Sequence, residues 1–232
     1  MRFSALATDY DGTLAQDGLV TPDTIEALRR FRSSGRHLIM VTGRTLESLC
    51  AVFPCVNEFD LIVAENGSTL YNPATQTERI LVEPPSESFL QALRRRRVSP
   101  LEVGHVIVAT SASEKEAVLE AIRESGLELQ IIFNKGSLMV LPTGCNKATG
   151  LRAAAAELEL SLRSIAGIGD AENDHAFLAA CEFPVAVANA LPALKQRVQW
   201  VTDRESSAGV IELVERMLKD DLVVQRPGSA GA

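Results

Sequence analysis

Short apolar runs alternate with helical patterns along most of this chain, and the alternation breaks once and then resumes. Leu6-Ala7-Thr8, His37–Val41 and Leu61–Ala64 read as strands, with helices predicted over Thr21–Ser34 and Thr45–Phe53 between them. Thr21 suits the cap of the first helix, Pro22 its first turn and Gly35 its end. Strand–helix–strand units predict a parallel sheet covered by helices. Near residue 80 the pattern changes. Ile80-Leu81-Val82 runs into Pro84-Pro85, followed by a helix over Ser86–Arg97, a strand over Val103–Thr110 and a helix over Ser113–Ser125. Strands over Leu129–Phe133 and Ser137–Leu141 then meet at Asn134-Lys135-Gly136, a hairpin turn. The first rhythm returns with a helix over Lys147–Leu160, a strand over Ser164–Gly169 and a helix over Asp174–Cys181. A strand over Pro184–Ala188, a short helix over Pro192–Val198, a strand at Trp200-Val201 and a helix over Ala208–Lys219 complete it. The expected class is α/β: a doubly wound parallel sheet from residues 1–81 and 146–219, with a small α+β domain inserted at 82–145. Residues 220–232 have the composition of a linker or disordered end, which allows fusion to another module.

Composition narrows the function. The chain has 232 residues and a formal net charge of −7, so it lacks the basic surface that drives non-specific nucleic-acid binding. Nothing in it has the length and apolarity of a membrane span, and its N-terminus does not resemble a signal peptide. The four cysteines form no CxxC pair and read as buried or part-buried free thiols. A cytoplasmic location is the default expectation.

Four polar segments fall at the C-terminal ends of predicted parallel strands or at the start of the next helix, where open α/β sheets bind ligands. In Asp9-Tyr10-Asp11-Gly12-Thr13-Leu14, two carboxylates two residues apart suit an oxygen-seeking divalent cation. Alone, such a pair is equally a solvated loop. Val41-Thr42-Gly43-Arg44 offers a hydroxyl and free backbone N–H groups, which suits either a phosphate cradle or an ordinary helix cap. Lys147 opens a helix, where its charge opposes the helix dipole, so a role outside helix stability gains weight. Asp170, Asn173 and Asp174 share one side of a helix start. A single acidic cap accounts for one of them and leaves the set unexplained.

Taken together, these segments resemble the haloacid dehalogenase superfamily phosphatases, specifically the Cof-type group (subfamily IIB), which carries its insert between the second and third motifs. Asp9-x-Asp11-Gly12-Thr13-Leu14, Thr42, Lys147 and Gly169-Asp170-x-x-Asn173-Asp174 occur in that family's order and spacing. Glu65-Asn66-Gly67, Val187-Ala188-Asn189-Ala190 and, more loosely, Ala208-Gly209-Val210 also match. The resemblance spans roughly residues 3–219. It implies that Asp9 is the nucleophile, forming an aspartyl-phosphate, and that Asp11 serves as general acid and base. It implies Mg²⁺ held by the Asp9 carboxylate, the Asp11 backbone carbonyl and the Asp170 carboxylate. Thr42, Gly43, Lys147 and Asn173 would hold phosphate, while Asn173 and Asp174 position Lys147 and metal-bound water. Arg44, Asn66 and Lys135 are further candidates for substrate contact.

The insert would then be a cap over the site, short enough to suggest either a small phosphorylated metabolite or an open site. Phosphoglycolate, sugar phosphates, glycosyl-phosphoglycerates and nucleotides all stay open as substrates. Arg94–Arg97 reads either as a solvated helix end or as a site for a second anionic group. A phosphomutase of the same superfamily is one alternative. A catalytically silent regulatory domain is another, although receiver domains lack both the insert and the Asp9-x-Asp11 pair.

Overall fold

The computed structural model describes residues 1–222. Its first half contains β1 (Ala5–Thr8), α1 (Pro22–Ser33), β2 (His37–Val41), α2 (Leu46–Val52) and β3 (Leu61–Ala64). These are followed by β4 (Thr69–Asn72), β5 (Thr77–Ile80), α3 (Glu87–Arg95), β6 (Leu101–Val103), β7 (Val108–Ser111) and α4 (Lys115–Ser125). After β8 (Leu129–Asn134) and β9 (Ser137–Pro142) come α5 (Lys147–Glu157), β10 (Ile165–Gly169), α6 (His175–Ala180) and β11 (Phe183–Ala186). The last elements are α7 (Pro192–Lys195), β12 (Trp200–Val201) and α8 (Ser206–Asp220).

One sheet has the order β12-β11-β10-β1-β2-β3-β4-β5 and is parallel from β12 to β3. Residues of β1, β3 and β10 are buried throughout, as expected of strands covered on both faces. The chain leaves β1 toward β2 on one side and returns to β10 on the other. The switch in strand order therefore falls between β1 and β10, which opens a crevice at their C-terminal ends. Thr8 pairs with Ile168 on one side and Met40 on the other, so Asp9 and Asp170 both emerge into that crevice.

The expected class holds, and three details differ. The core sheet continues past β3 as an antiparallel hairpin, β4 and β5, which the strand–helix–strand rhythm did not reveal. The strand expected over Val103–Thr110 is instead a hairpin, β6 and β7, with Gly104 N–H donating to Ile107 O at 2.8 Å. A side chain from the core, Glu65, holds the turn of that hairpin. Finally, the chain stays packed beyond residue 219. Asp220 ends α8, Leu222 is fully buried, and Asp221 accepts from Arg36 and from the Arg2 and Phe3 backbone N–H groups. The rest of the expected tail, residues 223–232, lies outside the described residues.

The second sheet, β6-β7-β9-β8, is wholly antiparallel. Its strand alternation separates two faces. Val108, Leu138 and Val140 pack with Phe89 and Leu93 of α3 and Val118 of α4. Met139, Leu141 and Ile107 form a smaller cluster with Val106 and Cys145. The arginine run is solvated: Arg94 pairs with Glu87, and Arg95 and Arg96 pair with Glu124 across α3 and α4. Cys145 and Cys181 are buried free thiols and Cys55 is half-buried, but Cys50 on α2 is exposed. Among the described residues no helix is long and apolar enough to cross a membrane.

Candidate active site

Asp9 follows β1 directly. Its backbone N–H donates to Ile168 O at 3.0 Å, and its side chain is buried. Asn146 caps α5, its Oδ1 accepting from Ala148 and Thr149 N–H, so the helix end is satisfied without the first helical side chain. That residue, Lys147, turns inward and is only 1% exposed. Its Nζ donates to Asp9 Oδ1 at 2.5 Å and to Asp174 Oδ1 at 2.6 Å. The cost of a lysine at a helix N-terminus is thus offset by two carboxylates. Asp174 uses its other oxygen to accept from the N–H groups of Asp170 (2.8 Å) and Ala171 (3.0 Å), which fixes the turn after β10. Asp170 is buried, and its Oδ1 accepts from Thr13 Oγ1 at 3.2 Å.

Asp9, Asp170 and Asp174 each offer an oxygen within 4.8 Å of the others. Burial is the main cause that pushes the Asp9 carboxyl up to about 8; Asp174 adds to it and Lys147 opposes it. Burial likewise raises Asp170. Burial would lower Lys147, but Asp174 and Asp9 more than reverse that, so it stays an ammonium. The cluster thus gathers three carboxyl groups around one buried ammonium. Its hard oxygen donors fit Mg²⁺, which binds through a few carboxylates and keeps water in its shell. A cation already reaches this spot: Lys135, from the turn between β8 and β9, donates to Asp170 Oδ2.

Asp11 faces the mouth of the site. Its carboxylate forms a two-point pair with Arg44, through Nε at 2.8 Å and Nη2 at 2.7 Å. Gly12 adopts φ +83°, and a Cβ there would sit 2.5 Å from both Asp170 Oδ2 and Lys135 Nζ, so only glycine fits. Asn189 Nδ2 (2.8 Å) and Ser206 Oγ (3.0 Å) donate to Gly12 O, and Ser207 Oγ donates to Leu14 O at 2.6 Å. Asn189, from a segment that matched the family, and Ser206 and Ser207, just before the looser match at Ala208, thus brace the first motif.

Asp9, Asp11, Gly43, Arg44, Asp170 and Asn173 line one cleft of about 310 Å³. The second sheet closes it with Glu102, Ile107, Ala109, Asn134, Ser137 and Met139. Thr42 is buried at the end of β2, where its Oγ1 accepts from Arg44 N–H at 3.1 Å. Asn66 is buried with φ +55°; its Oδ1 accepts from Asn173 Nδ2 at 3.1 Å, and its own Nδ2 has no partner among the described residues. Lys147, Thr42 and Asn66 are not among the cleft-lining residues.

Glu65 is the residue whose role the sequence did not disclose. It is fully buried with φ +48°, and its carboxylate accepts from the N–H groups of His105 (2.8 Å), Val106 (2.8 Å) and Ile107 (2.9 Å). The available signal was a carboxylate beside Asn-Gly at a strand end, but its partners lie about forty residues further along the chain.

A family model described as haloacid dehalogenase-like hydrolase matches residues 6–93 and 88–214. The chain is 28% identical over 223 residues to a protein named phosphoglycolate phosphatase from Methanothermobacter thermautotrophicus, covering 92% of this chain and 98% of that one. It is 30% identical over 226 residues to one of the same name from Sulfurisphaera tokodaii, covering 94% and 96%. Among solved structures it superposes on a Thermoplasma acidophilum protein with a TM-score of 0.79 at 17% identity, covering 94% and 99%. A haloacid dehalogenase-like hydrolase from Bacteroides thetaiotaomicron gives 0.77 at 19%, covering 93% and 99%. With its strand-end carboxylates, the inserted sheet and then the buried lysine, the chain belongs to the haloacid dehalogenase-like hydrolases, among the phosphatases of that family.

Proposed function

We propose that this phosphatase hydrolyses small phosphate monoesters with Asp9 as nucleophile and Mg²⁺ as cofactor, and that phosphoglycolate is the first substrate to test. The observation that carries this reading is the buried Asp9 carboxylate, held at 2.5 Å by Lys147 beside Asp170 and beneath the cleft. A cleft of about 310 Å³ lies at the small end of ligand sites, which favours a compact ester over a nucleotide or a glycosylated one. The relatives' names point the same way.

In this reading Asp9 attacks phosphorus, the ester bond breaks, and the phosphoryl group passes to the Asp9 carboxylate. Asp11 donates a proton to the leaving alkoxide and then takes one from the water that hydrolyses the aspartyl-phosphate. Arg44 holds Asp11 at the mouth between these steps. Lys147 supplies positive charge to the transferring group, with Thr42, Gly43 and Asn173 as further donors. Asp9, the Asp11 carbonyl and Asp170 would hold Mg²⁺, which supplies charge neutralisation at the phosphoryl oxygens. Asp174 positions Lys147 and the Asp170 turn. The unpartnered Nδ2 of Asn66 supports a donor role there. Residues 82–145 act as the cap, which excludes water and selects the leaving group.

The test is phosphate release, with Mg²⁺ and with EDTA, from a panel holding phosphoglycolate, hexose phosphates and nucleotides. Turnover is expected with Mg²⁺, fastest on a short ester, and lost in both EDTA and Asp9→Asn. Turnover at the normal rate by Asp9→Asn would overturn the nucleophile assignment. Sugar phosphate isomerised without phosphate release would favour a mutase.

A further inference from the structure

Lys135 stands out among the cap residues that meet the core. It occupies the turn between β8 and β9 at φ +45°, and its side chain is 44% exposed. Its ammonium nevertheless leaves the cap and rests on Asp170, a core carboxylate whose side chain is 1% exposed. Both oxygens of that carboxylate are then engaged: Oδ1 accepts from Thr13 and Oδ2 from Lys135. β8 also packs against the 172–174 turn beside Asp170. On the opposite side of the cap, Glu65 holds the 104–107 loop near the point where the chain returns to the core at Asn146. The cap therefore has a buried anchor at Glu65 and a part-exposed ionic contact at Lys135.

A divalent cation bound by Asp170 needs an oxygen at about 2 Å. Oδ1 is held by the buried Thr13 hydroxyl, which leaves Oδ2, the oxygen that Lys135 occupies. A second cation at bonding distance from the same oxygen meets strong like-charge repulsion in a poorly screened site.

We propose that Lys135 and Mg²⁺ exchange at Asp170: without metal the Lys135 ammonium ties the cap hairpin to the core, and metal binding releases it into the cleft. This rests on the metal reading above and adds to it a coupling between metal loading and cap freedom. Lys135 is thus a positioning residue for the cap, and metal affinity is reduced by the fraction of molecules that are tied.

The test titrates Mg²⁺ calorimetrically into metal-free full-length protein, without substrate, for wild type, Lys135→Gln and Asp170→Asn. Lys135→Gly is the second variant, because glycine suits the positive φ. Both Lys135 variants are expected to bind Mg²⁺ about two- to fivefold more tightly than wild type, the size of a part-exposed ion pair. Hydrogen exchange at 134–137 is expected to quicken on adding Mg²⁺ in wild type. In the Lys135 variants it is fast from the start and Mg²⁺ does not alter it. Equal or weaker Mg²⁺ affinity in both variants overturns the exchange, as does wild-type hairpin exchange that ignores Mg²⁺. Asp170→Asn is expected to lose Mg²⁺ binding. If it binds as wild type does, the metal reading itself fails, and that result is separate from the fate of Lys135.

Discussion

Replacing Lys147 by Met would leave Asp9 and Asp174 facing each other in a buried site without the ammonium they share. Breaking a buried ion pair from one side costs about 3–5 kcal/mol, because the remaining charge is uncompensated. Lys147→Met in EDTA should lower the unfolding free energy by that order, read as a lower urea midpoint at unchanged slope. Phosphate release should vanish as well, since the same group supplies charge to the phosphoryl oxygens in the proposed reaction. A variant of full stability would show that the carboxylates shed their charge cheaply, by taking up protons. The contrast with the surface is instructive. Arg94–Glu87 is a normal ion pair at 2.9 Å, but both side chains are more than half exposed, so its loss should matter little.

At the scale of elements, the cap is joined to the core by a side chain as well as by its two chain crossings. Glu65 satisfies three backbone N–H groups of the 104–107 loop, the turn between β6 and β7. Gly104 permits the approach: a Cβ there would lie 2.6 Å from the Glu65 carboxylate. In Glu65→Gln one acceptor becomes an NH₂ group that faces backbone donors. The expected cost is about 2 kcal/mol, the scale of a hydrogen bond to a charged group left unsatisfied. Amides of His105, Val106 and Ile107 should exchange with solvent faster, with little change in β1 or β10. Uniformly faster exchange across both sheets would instead mean that Glu65 supports the whole fold.

At the scale of the molecule, the two ends of the described chain meet. Asp221 accepts from Arg36 Nη2 at 3.2 Å and from Phe3 N–H at 3.3 Å, as well as from Arg2 N–H. Partial burial alone would raise the Asp221 carboxyl, but these donors outweigh it and hold it below its usual value of 3.8. A folded pKa below the unfolded one gives stability that is present above about 3.8 and fades as pH falls through the folded value. Asp221→Asn should therefore cost about 1 kcal/mol at pH 7 and almost nothing near pH 2, read from urea midpoints at both. An equal cost at both pH values would mean that packing, not charge, ties the termini.

The sequence by itself determined the layered α/β class, the inserted unit and the chemical types in the site, because these depend on local periodicity and on motifs within a few residues. Asp9 and Asp170 were legible as strand-end carboxylates, and Lys147 as a lysine misplaced for its helix. Tertiary structure alone decided what each group faces. It turned Lys147 onto Asp9 across 138 residues, set Asp11 against Arg44, and used Asn189, Ser206 and Ser207 as braces for the first motif. It also gave Glu65 a partner loop and brought Lys135 from the cap to Asp170. These pairings are non-local, and a charge reads the same in sequence whether it meets water, a backbone donor or another charge. The residue types that could do the chemistry were therefore visible from the start, while the burial that perturbs Asp9 and the contact at Asp170 were set only by the folded arrangement.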